Sequence, residues 1–199
     1  MRALLLDIGG VFYRGWPAPS FWPAWSERTG VAAERLEAFL SGDPDFRLAS
    51  QGRLAPEEAY ARAAKRLGLS VDLVRELRTE AFLSEPNEIL ADFVRGLRRR
   101  GVPVSALTNS TGSAEEIARR PLTAGLFDAV ISSRDVGAAK PDPLIFHAAM
   151  ERLRLPPDQI VFVDDVIGHV EAARGLGFAA VHFVSTKDAI RQLSGFWPP

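Results

Sequence analysis

The residues with the most chemistry to offer stand at the ends of short apolar runs. Asp7 ends the run from Ala3, Thr108-Asn109 follow Val102–Leu107, and Asp164-Asp165 close the run from Ile160. Lys140 lies in the loop after a further run, Ala129–Ser132. A carboxylate can act as a nucleophile and form an acyl phosphate. Two or three carboxylates in one pocket repel one another unless a cation joins them. Mg²⁺ does this through oxygen ligands while keeping positions for water and a phosphate oxygen. Such an ion and Lys140 would neutralise the equatorial oxygens of a phosphoryl group in transfer. Thr108 could donate its hydroxyl, and Asn109 an amide, to the same oxygens.

These residues act together only if the chain brings the run ends to one place. The runs Ala3–Asp7, Val102–Leu107, Ala129–Ser132, Ile160–Asp164 and Ala179–Val184 are rich in aliphatic and β-branched residues and read as buried strands. Their continuous apolarity is what a parallel sheet shows when both faces are covered. Helical patterns separate the later strands, near Ser113–Arg120, Pro143–Leu153 and Ile167–Gly175. The clearest, from Pro86 to Arg100, groups Ile89, Leu90, Phe93, Val94 and Leu97 on one face and stops at Gly101. Strand alternating with helix predicts a right-handed, three-layer Rossmann-like α/β sandwich. In open sheets of this kind, ligands bind beyond the carboxyl ends of the strands.

Residues 14–85 differ in texture, with helical periodicity and no convincing strand. Helices are expected at Val31–Leu40, Ala55–Leu67 and Val71–Phe82. The expected division is an α/β core from 1–13 and 86–199, with an all-helical lobe inserted after the first strand.

Bulk composition narrows the function classes. The chain of 199 residues is 47% hydrophobic, in the ordinary globular range. A net charge of -1 argues against bulk binding to nucleic acid or an anionic membrane, so a polyanion site must be local. No cysteine is present, which excludes disulfides, thiolate catalysis and Cys-ligated zinc. No run is long enough for a signal segment or a membrane span, so a cytoplasmic protein is expected.

The motifs resemble those of the haloacid-dehalogenase-like superfamily. Leu5-Leu6-Asp7-Ile8-Gly9-Gly10-Val11 is similar to its first motif and Ala106-Leu107-Thr108-Asn109-Ser110 to its second. Ala139-Lys140-Pro141-Asp142-Pro143 resembles the third, and Phe162-Val163-Asp164-Asp165 the fourth, continued by Glu171 to Gly177. Gly52 to Glu58, before a helix, resembles part of the family's helical cap. The resemblance implies a Mg²⁺-dependent phosphatase acting on a small phosphorylated metabolite. Asp7 would attack phosphorus, and Mg²⁺ would be bound by Asp7, Asp164 and the Gly9 carbonyl. Asp165 would orient ligands or water behind the ion, Lys140 would bridge Asp7 and the phosphoryl group, and Thr108 and Asn109 would bind phosphate.

One position departs from the fuller pattern. The family commonly has an Asp two residues past the nucleophile, where it protonates the leaving group; here it is Gly9. General acid catalysis contributes about 10²–10⁴-fold. A branch reading D-x-G-[GN]-V includes proteins regarded as sugar-phosphate phosphatases, and good leaving groups such as anomeric or acyl phosphates need less protonation. His169, five residues past Asp164, is a candidate for a structural hydrogen bond or a substitute proton donor. Tyr13, Trp16, Phe21, Trp22 and Trp25 could stack on a sugar or build the lobe's core, and Arg14 is a candidate specificity residue. Two alternatives stand beside the phosphatase: a 2-haloacid dehalogenase, disfavoured by Asp164-Asp165, and a non-catalytic phosphate-binding protein that lost turnover with Gly9.

Overall fold

A computed structural model describes residues 2–13, 16–83, 85–120 and 123–198. Five strands, β1 (Ala3–Leu6), β2 (Val104–Thr108), β3 (Ala129–Ser132), β4 (Ile160–Asp164) and β5 (Ala179–His182), form one sheet. All four pairings are parallel, in the order β3-β2-β1-β4-β5. The central strands are buried along their whole length, which explains their unbroken apolarity. Leu4 and Leu6 enter one apolar layer with Val104, Val161 and Leu90, while Leu5 enters the other with Phe162, Ile131 and Phe146. The period of two along β1 therefore feeds two helix layers.

The helices in chain order are α1 (Phe21–Thr29), α2 (Ala33–Gly42), α3 (Pro44–Ser50), α4 (Pro56–Leu67), α5 (Val71–Leu83) and α6 (Glu88–Arg99). After β2 come α7 (Ala114–Ala118), α8 (Ser133–Val136), α9 (Pro143–Leu153), α10 (Ile167–Gly175) and α11 (Thr186–Phe196). The first five share an apolar cluster of their own, with Trp25, Leu36, Phe46, Ala63 and Leu77 at its centre.

Several boundaries differ from the sequence expectation, each for a local reason. β2 starts at Val104 rather than Val102, because Pro103 has no N–H to give the ladder. β5 stops at His182, and Val184 is exposed. Asn87 caps α6, its side chain accepting from the Leu90 N–H at 3.2 Å, so the helix begins after Pro86. Ile89 is 71% exposed, since it lies about 100° around the helix from Leu90. α1, α3, α8 and α11 lie outside the sequence expectation. The start of α3 was nevertheless visible as Asp43-Pro44: Asp43 accepts from the N–H groups of Asp45 and Phe46, with Pro44 at the first helical position.

Candidate active site

Register places the acids. Leu6 is paired with Val163, so Asp7 and Asp164 leave adjacent strands at the same level. The Asp7 N–H still donates to the Val163 carbonyl at 2.9 Å, extending the ladder one step past β1. Asp7 is buried, and its Oδ1 also accepts from the Ile8 N–H at 2.7 Å. Asp164 is fully buried.

Lys140 joins the two acids. Its Nζ lies 2.9 Å from Asp7 Oδ1 and 2.6 Å from Asp164 Oδ2, and donates to the Leu107 carbonyl at 3.0 Å. Those three contacts match the three donors of an ammonium. The lysine backbone is clamped by Asn109, whose Oδ1 accepts from the Lys140 N–H at 2.8 Å while its Nδ2 donates to the Lys140 carbonyl at 3.0 Å. Asn109 is thus half committed to holding this loop, which leaves a single amide hydrogen for a phosphate. Thr108 is buried at the β2 end beside it.

The two adjacent aspartates differ in availability. Asp164 Oδ1 accepts from the Val166 N–H at 2.8 Å and contacts His169 Nδ1 at 2.9 Å, while Oδ2 faces Lys140. Burial opposes its ionisation, but His169 and Lys140 outweigh that and hold its pKa below the ordinary range. Asp165 is raised instead, by burial and by the neighbouring Asp164 charge. Asp7 is pushed up to about 6, because burial and Asp164 outweigh Lys140. Ligand atoms of Asp7, Asp164 and Asp165 lie within 4.8 Å of one another. One lysine for three clustered acids leaves negative charge that a divalent cation would balance, and all-oxygen donors suit Mg²⁺.

Two glycines make room. Gly10 has φ 73°, and a Cβ there would fall 2.0 Å from Asp165 Oδ2, so the loop can pass under this carboxylate only without a side chain. Gly9 differs: nothing lies within 4 Å of an added Cβ, and its backbone is not left-handed.

The remaining candidates separate cleanly. His169 has the structural hydrogen bond to Asp164, and His182 Nε2 lies 3.0 Å from the Asp165 carbonyl. Trp22 and Trp25 are buried in the cluster of the inserted helices, with Trp16 and Phe21 packed on Trp22. None of these aromatics lines the site cavity. Arg14 lies outside the described residues. A cavity of about 690 Å³ opens above Ile8, Gly9, Thr108 and Asn109, roofed by the inserted helices through Phe46, Tyr60, Arg78 and Phe82, with Arg120 at its wall. Sequence reasoning missed these roof residues; on helices rich in Arg and Leu they carry no local signature.

Among the described residues, no helix is long and apolar enough to cross a membrane. The chain is similar to bifunctional epoxide hydrolase 2 of Sus scrofa, 30% identical over 97% of this chain and 38% of that protein. It therefore spans well under half the length of that relative. It is 23% identical to the sesquiterpene phosphatase astK of Aspergillus oryzae, over 98% of this chain and 97% of that one. An (S)-2-haloacid dehalogenase of Pseudomonas putida is 32% identical over 62% of this chain and 56% of its own.

Among solved structures, a HAD-like family hydrolase of Porphyromonas gingivalis superposes with TM-score 0.79 at 20% identity, covering 100% of this chain and 98% of that one. A HAD family enzyme of Bacteroides thetaiotaomicron, complexed with magnesium and inorganic phosphate, superposes with TM-score 0.74 at 20% identity over 92% and 93%. The haloacid dehalogenase-like hydrolase family itself matches residues 1–177. With the parallel sheet and its converging strand ends, that match means that the chain belongs to the haloacid dehalogenase-like hydrolase family.

Proposed function

We propose that this chain hydrolyses a small phosphate ester through an aspartyl phosphate on Asp7, with Mg²⁺ as cofactor. The observation that carries this reading is the unbalanced acid cluster: Asp7 tied to Lys140 with Asp164 and Asp165 within 4.8 Å. A magnesium ion there would supply positive charge to the phosphoryl oxygens. Asp165, the Asp7 carboxylate and the Gly9 carbonyl are the groups best able to hold it, because both Asp164 oxygens already receive donors from the protein. This reverses the division expected from the motifs, which put Asp164 on the ion and Asp165 behind it. Asp164 instead positions Lys140 and so orients the nucleophile.

In the reaction, an Asp7 oxygen attacks phosphorus and the leaving oxygen departs on the opposite side. Lys140 steadies Asp7 and the transferred group, with Thr108 and the remaining Asn109 N–H at the phosphoryl oxygens. Water then cleaves the acyl phosphate. No acid stands at Gly9, so the site favours esters whose leaving group departs without a strong proton donor. The phosphatase among the curated relatives and the magnesium–phosphate complex among the structures support this reading. The test is phosphate release from sugar phosphates, aryl phosphates and acyl phosphates, with and without Mg²⁺. Release that is equal with and without a chelator overturns it.

The dehalogenase reading draws on the Pseudomonas relative. It needs no metal and leaves Asp165 without a task, so chloride release from 2-haloacids surviving chelation is its distinguishing sign. Retained phosphate and Mg²⁺ binding with no turnover on the whole panel would instead favour the non-catalytic reading.

A further inference from the structure

The cavity above Ile8 and Gly9, next to Asp7, carries positive charge in its walls. Arg78 on α5 and Arg120 just past α7 reach it from different parts of the chain. Both are half-buried, and neither makes an ion pair with a carboxylate among the described residues. By contrast, Arg28, Arg62, Arg95 and Arg119 each meet an acid. Arg47, also on the cavity wall, adds a further cation. The acid lining the same space, Asp43, is already engaged, capping α3 and pairing with Arg66.

The Arg78 guanidinium is held in place by its surroundings. Arg78 lies 3.7 Å from the Phe46 ring centroid and 5.4 Å from that of Phe82. A guanidinium over an aromatic face keeps its N–H fork directed outward in the plane. Tyr60 is an electrostatic neighbour of both Arg78 and Arg120, so the two converge on one region. Burial lowers both pKa values from the ordinary arginine range. Each guanidinium has a carboxylate as an electrostatic neighbour without a direct ion pair, Asp43 for Arg78 and Glu116 for Arg120, and a bound anion would supply direct partners for their N–H groups. The volume of about 690 Å³ greatly exceeds a phosphate and lies in the range of sites for larger organic ligands.

Building on the phosphatase reading, we infer that the substrate carries a second anionic group, received by Arg78 and Arg120, on an apolar body lying against Phe46 and Tyr60. The phosphoryl group meets Thr108 and Asn109 on the floor next to Asp7, and the second anion sits at the roof and wall. This defines a substrate class: organic phosphates with a remote carboxylate or second phosphate.

The test compares 4-butylphenyl phosphate with 4-(4-phosphooxyphenyl)butanoate, which share a phenolate leaving group and differ in the remote charge. The carboxylate compound is expected to have a kcat/KM at least about tenfold higher, mainly through KM. Arg78→Gln and Arg120→Gln should each bring the ratio toward one, and Arg78→Lys should restore part of it. A ratio near one in the unaltered protein overturns the inference, as does a high ratio that survives in both glutamine variants. If neither compound is hydrolysed, the phosphatase reading goes to the wider panel above, and calorimetric binding of the same pair in Mg²⁺ decides the second site independently. A carboxylate preference lost in the variants then supports it, and equal binding overturns it.

Discussion

The strand-end cluster beside the cavity floor and the cavity roof handle charge in opposite ways. On the floor, Lys140 spends every donor within the protein and each Asp164 oxygen has a partner, in a region sealed between two apolar layers. On the roof, the Arg78 guanidinium rests on aromatic rings, and neither Arg78 nor Arg120 makes an ion pair with a carboxylate among the described residues. The floor is fixed before anything binds, as a catalytic geometry must be. The roof is left incomplete, as a recognition surface can be, because the ligand completes it. On the function proposed above, chemistry belongs to the first region and choice of substrate to the second.

The largest effect that could break this contrast is at the nucleophile. Asp7→Asn should lower phosphate release by at least about 10³-fold while the protein still folds. Retention of full activity would remove the covalent mechanism. Lys140→Met comes next. It leaves Asp7 and Asp164 buried side by side, so a stability loss of about 3–5 kcal/mol by denaturant titration is expected, along with loss of turnover. A variant as stable as the parent would show that the floor is not held by this lysine.

Gly9→Asp tests the missing acid directly. The position has open space and an ordinary backbone. A gain of about 10-fold to 10³-fold in kcat is expected on alkyl phosphates and a smaller one on aryl phosphates. Equal gains on both would point away from leaving-group protonation.

The division between neighbouring acids is sharpened by two substitutions. Asp165→Asn should weaken Mg²⁺ binding by about 10-fold or more in calorimetry, while Asp164→Asn should chiefly lower thermal stability. The reverse pattern would return Asp164 to the ion.

A smaller effect lies in the pH dependence of the metal-free protein. Asp7 is raised to about 6, so the folded chain takes up a proton before the unfolded chain does. Stability from this group therefore increases as pH falls from 7 toward 4 and is lost as pH rises through about 6. Asp164, held low, acts in the opposite sense only when pH falls below the ordinary carboxylate range. Added Mg²⁺ should raise Tm more at pH 7.5 than at pH 5, since protons compete for the same carboxylates. An equal rise at both values would argue against Asp7 as a ligand.

Much of the floor was legible in the chain. Asp7, Thr108, Lys140 and Asp164 each follow or end an apolar run, and a parallel sheet exposes such ends on one edge. The roof was not legible. Trp16, Trp22 and Trp25 drew attention by type, yet Trp22 and Trp25 fill the core of the inserted helices. Arg78 and Arg120 are separated by two helices and a strand and share no motif. The identity of Asp165 as the more open acid also needed coordinates, because two adjacent aspartates read alike until their hydrogen bonds are known.

What the sequence determined by itself is the periodicity of burial and the residues at its breaks. Local patterns of two and of 3.6 are encoded by neighbours along the chain, so strand ends and their acids can be read there. Tertiary structure decided what meets across those elements: Lys140 between two carboxylates, Gly10 beneath Asp165, and two arginines facing one cavity. Such contacts depend on register and on how the inserted helices pack over the sheet. No local spacing records either.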